Sequence, residues 1–223
     1  VRSTALARSP SLQIRVFDHP GAVAADAWDR LLAQEHDPSP FMRHAYLKAL
    51  HDSGSAVPAT GWTPRFVTLW QGETLVAACP FYLKAHSYGE YVFDWAWANA
   101  YEQHGLRYYP KALVAVPFTP VPGARLLARD GTARAALVRA LIGLAQELEL
   151  SSLHLLFVQP RDQAACEQAC LMLRHTVQFH WKNVAPTPHR LRGSPPPMGA
   201  DPAWDGPAPD HEVPATFADF EHF

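Results

Sequence analysis

"DGTARAALVRALIGLAQELELSSLHLLFV", from Asp130 to Val158, sets a helix beside a strand, and its reading decides the fold class. Leu137, Leu141, Leu144 and Leu148 recur at the spacing that lines one face of an α-helix. "SSLHLLFV" is short and almost continuously apolar, as strands buried on both faces are. Downstream, a second helix is predicted from about Arg161 to Leu173. It is followed by "TVQFHWK", where Val177, Phe179 and Trp181 alternate with polar residues as in a strand. Upstream, "RFVTLWQGETLVAACPFYLKA" reads as a β-hairpin from Arg65 to about Lys84 around a Gly-containing turn. This order predicts an α/β domain with a mixed sheet flanked by helices.

Further out, "LQIRVF" alternates Leu12, Ile14 and Val16 on one face of a half-buried strand. "AADAWDRLLAQ" places Trp28, Leu31 and Leu32 at helical spacing. In "SPFMRHAYLKALHDSG", Ser39 suits a cap, Pro40 the first helical position and Gly54 the stop, with Met42, Tyr46 and Leu50 along one face. Pro117, Pro120 and Pro122 forbid a central strand through "ALVAVPFTPVPGARLLA". Residues 184–214 hold nine prolines and three glycines with no apolar period, the composition of a linker or disordered segment. The expected organisation is a domain over 1–183, this segment, and the start of a helix at 215–223.

The 223 residues are 48% hydrophobic, enough for a sizeable core. A formal charge of −2 leaves no electrostatic footprint for DNA or an anionic membrane, so a small-molecule or peptide partner is favoured. No apolar run is long enough to span a bilayer, and "VRSTALARSPSLQIRV" lacks the apolar middle of a signal peptide. A cytoplasmic protein is expected. Cys79, Cys166 and Cys170 form no CxxC pair and read as reduced, buried thiols, and no metal site is expected. Nucleotide-binding glycine motifs and a GxSxG elbow are absent.

"HSYGEYVFDWAWANAYEQHGLRYYPK", His86 to Lys111, is the densest chemistry in the chain: eight aromatic and seven ionisable residues in 26 positions. It holds too many charges for a buried strand and too many aromatics for a solvated loop. It is either an irregular segment packed over the sheet edge or the wall of a ligand cleft, whose lining mixes these types. Ahead of the long helix, Arg125, Arg129 and Gly131 stand where N–H groups and the helix dipole suit an anionic cofactor, or where Asp130, Gly131 and Thr132 merely turn and cap. His154 and His180 each interrupt an apolar strand and suit a buried hydrogen bond or a functional role equally.

The string "KAHSYGEYVFDWAWANAYEQHGLRYYPKALVAVPFTPVPGARLL", with "GWTPRFV" before it and "SSLHLLF" after it, resembles the FemAB-like predicted N-acyltransferases of the GNAT superfamily. The likeness runs from about Leu12 to Asn183 and implies a GNAT-like twisted mixed sheet that splays to admit an acyl donor. It further implies acyl transfer to an amine, with acyl-CoA or aminoacyl-tRNA as co-substrate, no tightly bound cofactor, and a small-molecule or peptide acceptor such as a cell-wall precursor. It also implies two GNAT-like halves, of which this sequence supplies the first. "VPGARLLARDGT" carries its glycines and arginines in another order than the usual GNAT phosphate signature.

Residue chemistry and clustering name Glu102, His104 and His180 as candidate bases, and Tyr108 or Tyr109 as proton donor. Arg107, Lys111 and Arg125 suit an anionic group. His86, Tyr88, Tyr91, Asp94, Trp95 and Trp97 complete the substrate-binding set, and Arg125, Arg129 and Gly131 the donor-binding set. A recognition module binding a peptide through the same aromatic stretch is the alternative.

Overall fold

The predicted leucine helix forms as α4, Gly131–Glu147, and its start is fixed by Asp130, whose Oδ1 accepts the Ala133 N–H at 2.8 Å. Leu137 and Leu141 are fully buried along it, whereas Leu148 lies beyond the helix and is 41% exposed. The computed structural model describes residues 11–92 and 94–179. In chain order the elements are β1 (Leu12–Phe17), α1 (Ala25–Leu32), α2 (His44–Asp52), β2 (Trp62–Pro64), β3 (Phe66–Gln71), β4 (Thr74–Cys79) and β5 (Tyr82–Lys84). Then come α3 (Trp95–Gln103), β6 (Lys111–Val114), β7 (Leu127–Ala128), α4, β8 (Leu153–Leu155) and α5 (Pro160–Gln168).

The architecture is mixed α/β, and its strands divide into two four-stranded sheets, β1-β3-β4-β7 and β2-β5-β6-β8. The hairpin β3–β4 belongs to the first, and Tyr82–Lys84 continues past it into the second, where β6 and β8 run parallel. Two cores result. Trp28, Leu31, Leu32 and Leu47 from α1 and α2 pack with Phe66, Tyr82 and Leu113 on one side. Leu137, Val138 and Leu141 of α4 and Cys166 of α5 pack with Val67, Ala112 and Val114 on the other.

Several expectations shift. Leu12, Ile14 and Val16 do alternate on β1, but they are 42%, 56% and 39% exposed, and of this strand it is Phe17 that packs against the first core. In the second helix of the sequence the Ser39 cap serves only a short 3₁₀ turn, Pro40–Met42; α2 starts afresh at His44 and buries His44, Leu47 and His51. β6 stops at Val114, before the prolines. β8 is half-buried rather than covered on both faces. The first of two units ends at Leu173, and in the second, Arg174–Phe223, residues 176–179 form no strand. Alternation makes a strand only where a neighbour takes up its N–H and C=O groups. The rest of "TVQFHWK", the 184–214 segment and 215–223 lie outside the described residues. Among those residues no helix is long and apolar enough to cross a membrane, and no group of His, Cys, Asp or Glu is placed to hold a metal.

His51 illustrates the polar content of the first core. It stacks on Tyr82 at 5.7 Å with planes 7° apart, and its Nε2 lies 3.2 Å from the Tyr82 hydroxyl. Burial, helped by His19 and opposed by Asp52, pushes its imidazole down to about 4 from 6.5. Between those values the unfolded chain takes up a proton that the folded chain refuses, so stability that is complete above pH 6.5 falls as pH drops toward 4. Urea unfolding at pH 7 and pH 4.5 is expected to show that His51→Phe removes on the order of 2 kcal/mol of this acid sensitivity. Identical pH slopes in both proteins would refute it.

Candidate functional site

β5 ends at Lys84 and β6 begins at Lys111, and the two lysines face each other across the antiparallel pair. Trp62 of β2 stands opposite Lys84 on its other side, so Trp62, Lys84 and Lys111 form one row across the sheet. Both lysines are completely buried. Like charges directly opposed are destabilising, and more so away from water. The segment 85–110, which leaves the sheet after the first lysine and returns at the second, supplies the countercharge.

Lys111 Nζ donates to Glu90 Oε2 at 2.8 Å, to Ser87 Oγ at 2.8 Å and to Asp94 Oδ2. All three ammonium protons thus have acceptors. Lys84 Nζ donates to the Tyr88 carbonyl at 3.1 Å and sits 3.6 Å from the centre of the Trp62 ring, a cation–π contact. The Tyr108 hydroxyl donates to Asp94 Oδ2 at 2.6 Å, and the Tyr109 and Ser87 hydroxyls lie 2.8 Å apart. Ser87, Glu90, Asp94 and Tyr108 are buried with the lysines. Glu90 Oε1 and Asp94 Oδ1 have no hydrogen-bond partner among the described residues.

Titration follows the geometry. Burial pushes Lys84 down to about 8, Lys111 acting the same way and Glu90 against it. Burial raises the Glu90 carboxyl against the pull of Lys111 and Lys84. For Asp94 burial also works upward, but hydrogen bonds from Lys111, Ser87 and Tyr108 outweigh it and hold the carboxyl below its ordinary value. Burial and the Asp94 carboxylate raise the Tyr108 phenol.

Other aromatics of the same segment face water. Tyr88, Tyr91, Trp95 and Trp97 are exposed, and the rings of His86, Tyr88 and Trp95 follow one another at 5.2 and 5.5 Å. Burial, then Lys84, lowers the His86 imidazole. The turn that carries them is conformationally demanding. Gly89 has φ +80°, and a Cβ there would come within 2.6 Å of the Phe118 ring. Gly61, at φ +76°, lies against the His86 ring, where a Cβ would collide with Nε2. Tyr91 and Phe118 themselves hold φ of 57° and 58°, which bulky residues adopt at a cost of about 1–3 kcal/mol each and chiefly at functional sites.

The segment also holds a helix the sequence did not announce. α3 buries no residue, so it carries no apolar period; its alanines supply the propensity instead. Of the predicted site residues, Asp94, Tyr108 and Lys111 meet in the buried cluster, the half-buried Tyr109 reaches Ser87, and His86, Tyr88, Tyr91, Trp95 and Trp97 lie on the same segment. Glu102, His104 and Arg107 stand exposed at and beyond the end of α3. His180 lies outside the described residues. Lys111, expected to meet an anion, already has three internal acceptors. Arg125 is likewise buried, its guanidinium donating to the Val121 and Ala124 carbonyls at 2.5 and 3.2 Å, and burial pushes it down to about 10. Arg129 bonds Asp130 and Gln71 and lines a shallow cleft of about 250 Å³ with Arg30, Gln34 and Glu73, beside the exposed Gly131. His154 Nε2 lies 2.9 Å from the Ser152 hydroxyl. Burial pushes the Cys79 thiol up, and burial then Asp162 push Cys166 up to about 11, so neither is poised as a nucleophile.

Sequence reasoning passed over Lys84, Ser87 and Glu90. A usable signal was present: lysines at both strand ends flank a segment that contains Glu90 and Asp94. It also missed a second buried network. Arg134 of α4 pairs with Glu35 at 2.5 Å and with Asp162 of α5 at 3.0 Å, while Asp162 Oδ2 accepts the Arg125 and Leu126 N–H groups.

A family model described as FemAB-like, peptidoglycan biosynthesis/recognition, matches residues 20–187 of the chain. The chain belongs to this family. Both the buried cluster and the exposed aromatics of the FemAB-like chain fall inside the matched residues. No curated protein matches its sequence. Among solved structures it is similar to the crystal structure of ribosomal-protein-alanine N-acetyltransferase from Brucella melitensis biovar Abortus 2308. That likeness has 16% identity and a TM-score of 0.43, and covers 77% of this chain and 99% of that one.

Proposed function

We propose that the chain is an N-acyltransferase of the FemAB-like type, moving an acyl or aminoacyl group to an amine of a cell-wall precursor. The observation that supports it is the buried Lys111–Glu90–Asp94–Tyr108 cluster, in which two carboxylate oxygens lack partners among the described residues, on the same segment as the exposed Tyr88, Tyr91, Trp95 and Trp97. Amide formation needs a neutral amine, so a proton acceptor inside a site shielded from water is the feature to seek; such a base contributes about 10²–10⁴-fold. The donor is an acyl-CoA or an aminoacyl-tRNA, and the rim suits a peptide or sugar-peptide acceptor with apolar faces and polar tips.

A recognition module is the second reading. It is favoured by the exposure of Glu102 and His104, the two described residues expected to act as base. Thermal unfolding with acyl-CoA or with a soluble muropeptide separates the two. A ligand at 100 times its dissociation constant is expected to stabilise the fold by about 2.7 kcal/mol. Stabilisation by both, with an amide product detected by mass spectrometry, supports transfer. Stabilisation by muropeptide alone, without product from acyl-CoA or aminoacyl-tRNA, leaves recognition, and stabilisation by neither sinks both.

A further inference from the structure

We propose that Glu90 receives the acceptor's amine at its Oε1 and takes the proton that the amine loses as the amide forms. The assignment rests on the acyltransferase reading above and names the residue that reading lacks. Glu90 is 3% exposed, its Oε2 is held by Lys111 at 2.8 Å, and its Oε1 faces no donor among the described residues. A buried carboxylate oxygen without a donor is rare in folded proteins and calls for one. Lys111 cannot serve, since its three protons are engaged with Ser87, Glu90 and Asp94. A primary amine brings the missing N–H.

Position separates Glu90 from Asp94. Asp94 Oδ2 carries both Lys111 and the Tyr108 hydroxyl, which anchor it as an anion. Glu90 has the single bond from Lys111, and its raised proton affinity fits a group that must accept a proton and release it. It stands between Gly89 at φ +80° and Tyr91 at φ 57°, with Tyr88 and Tyr91 being 66% and 56% exposed. The buried carboxylate and the exposed rings therefore share one strained turn, so a ligand stacked on the rings adjoins the residue that receives its amine. Charge also closes. Lys84, Lys111, Glu90 and Asp94 sum to zero when all are ionised, and Lys84, pushed down to about 8, can release a proton when a cationic amine enters.

In the step itself the neutral amine nitrogen attacks the carbonyl carbon of the donor's thioester or ester. The new N–C bond forms, the surplus proton on nitrogen passes to Glu90 Oε1, and the C–S or C–O bond breaks. The departing thiolate or alkoxide takes that proton back, leaving amide, thiol or alcohol, and Glu90 as it began.

The test is calorimetric binding of two muropeptides, one with a single free primary amine and one with that amine acetylated, to the full chain and to Glu90→Gln. The wild-type chain is expected to prefer the free amine by at least tenfold. Glu90→Gln should lose the preference, its affinity for the free amine falling to that for the acetylated form. If Glu90→Gln lacks a cooperative thermal transition, Glu90→Asp serves, with the preference expected to fall at least threefold because the carboxylate is retracted by one methylene. Equal binding of both muropeptides by wild type, or a preference that survives either variant in full, overturns the Glu90 assignment alone. Binding of neither muropeptide by wild type overturns the acceptor reading and the assignment with it.

Discussion

Lys111→Met is expected to lower the free energy of unfolding by about 3–5 kcal/mol, because it removes the ammonium that both buried carboxylates bond and leaves Lys84 alone against two negative charges. Glu90 and Asp94 are 3% and 4% exposed and both bond the Lys111 ammonium. Methionine matches the lysine stem in length, so lost packing is small and the loss reads the charge. Against a total stability of about 5–15 kcal/mol, a deficit of this size leaves a marginal or unfolded chain. Urea unfolding followed by tryptophan fluorescence measures it. Adding Asp94→Asn to Lys111→Met leaves Lys84 balanced by Glu90 and should restore part of the loss, since a neutral amide is far less costly to bury unpaired than a carboxylate. A single-variant loss below about 1 kcal/mol would mean that Lys111 does not hold the two carboxylates as a buried ion network.

Arg134→Leu is expected to have a comparable effect, about 3–5 kcal/mol, through the second network. Arg134 neutralises Glu35, which follows α1, and Asp162, at the start of α5, and all three are buried. Gln159 also reaches Glu35, at 2.7 Å, so the network ties the helices on one side of the sheets to those on the other. Its removal should also change the acid response. Burial already pushes the Asp162 carboxyl up to about 6, opposed by the Arg125 and Leu126 N–H groups and by Arg134. A carboxyl raised above its unfolded value favours the folded state once protonated, so as pH falls through 6 the deficit of Arg134→Leu should shrink. Unfolding curves at pH 7.5 and pH 5 check this, and a deficit that grows at pH 5 would contradict it.

Much of the fold was legible because burial imposes a period. The leucines of α4, Trp28, Leu31 and Leu32 of α1, and the β3–β4 hairpin sit where their spacing put them. The reading failed where burial imposes none. α3 lies on the surface with no buried face, residues 176–179 alternate without a ladder partner, and β1 leaves Leu12, Ile14 and Val16 exposed. The candidate site was half legible. Density of aromatic and ionisable residues picked out His86–Lys111, the segment that carries the buried Lys111–Glu90–Asp94–Tyr108 cluster, and it named Glu102 and His104 but not Glu90.

Local sequence by itself determined the periodic elements, the capped start of α4, the barrier set by Pro117, Pro120 and Pro122, and the stretch in which chemistry concentrates. Those are decided by spacing and by backbone sterics, which act over a few residues. Only the tertiary structure decided that Lys84 and Lys111 oppose each other, that Glu90 and Asp94 return to neutralise them, and that Arg134 joins Glu35 to Asp162. The physical reason is that the cost of a buried charge depends on which distant group lies within a few ångströms of it, and strand pairing and helix packing set that distance.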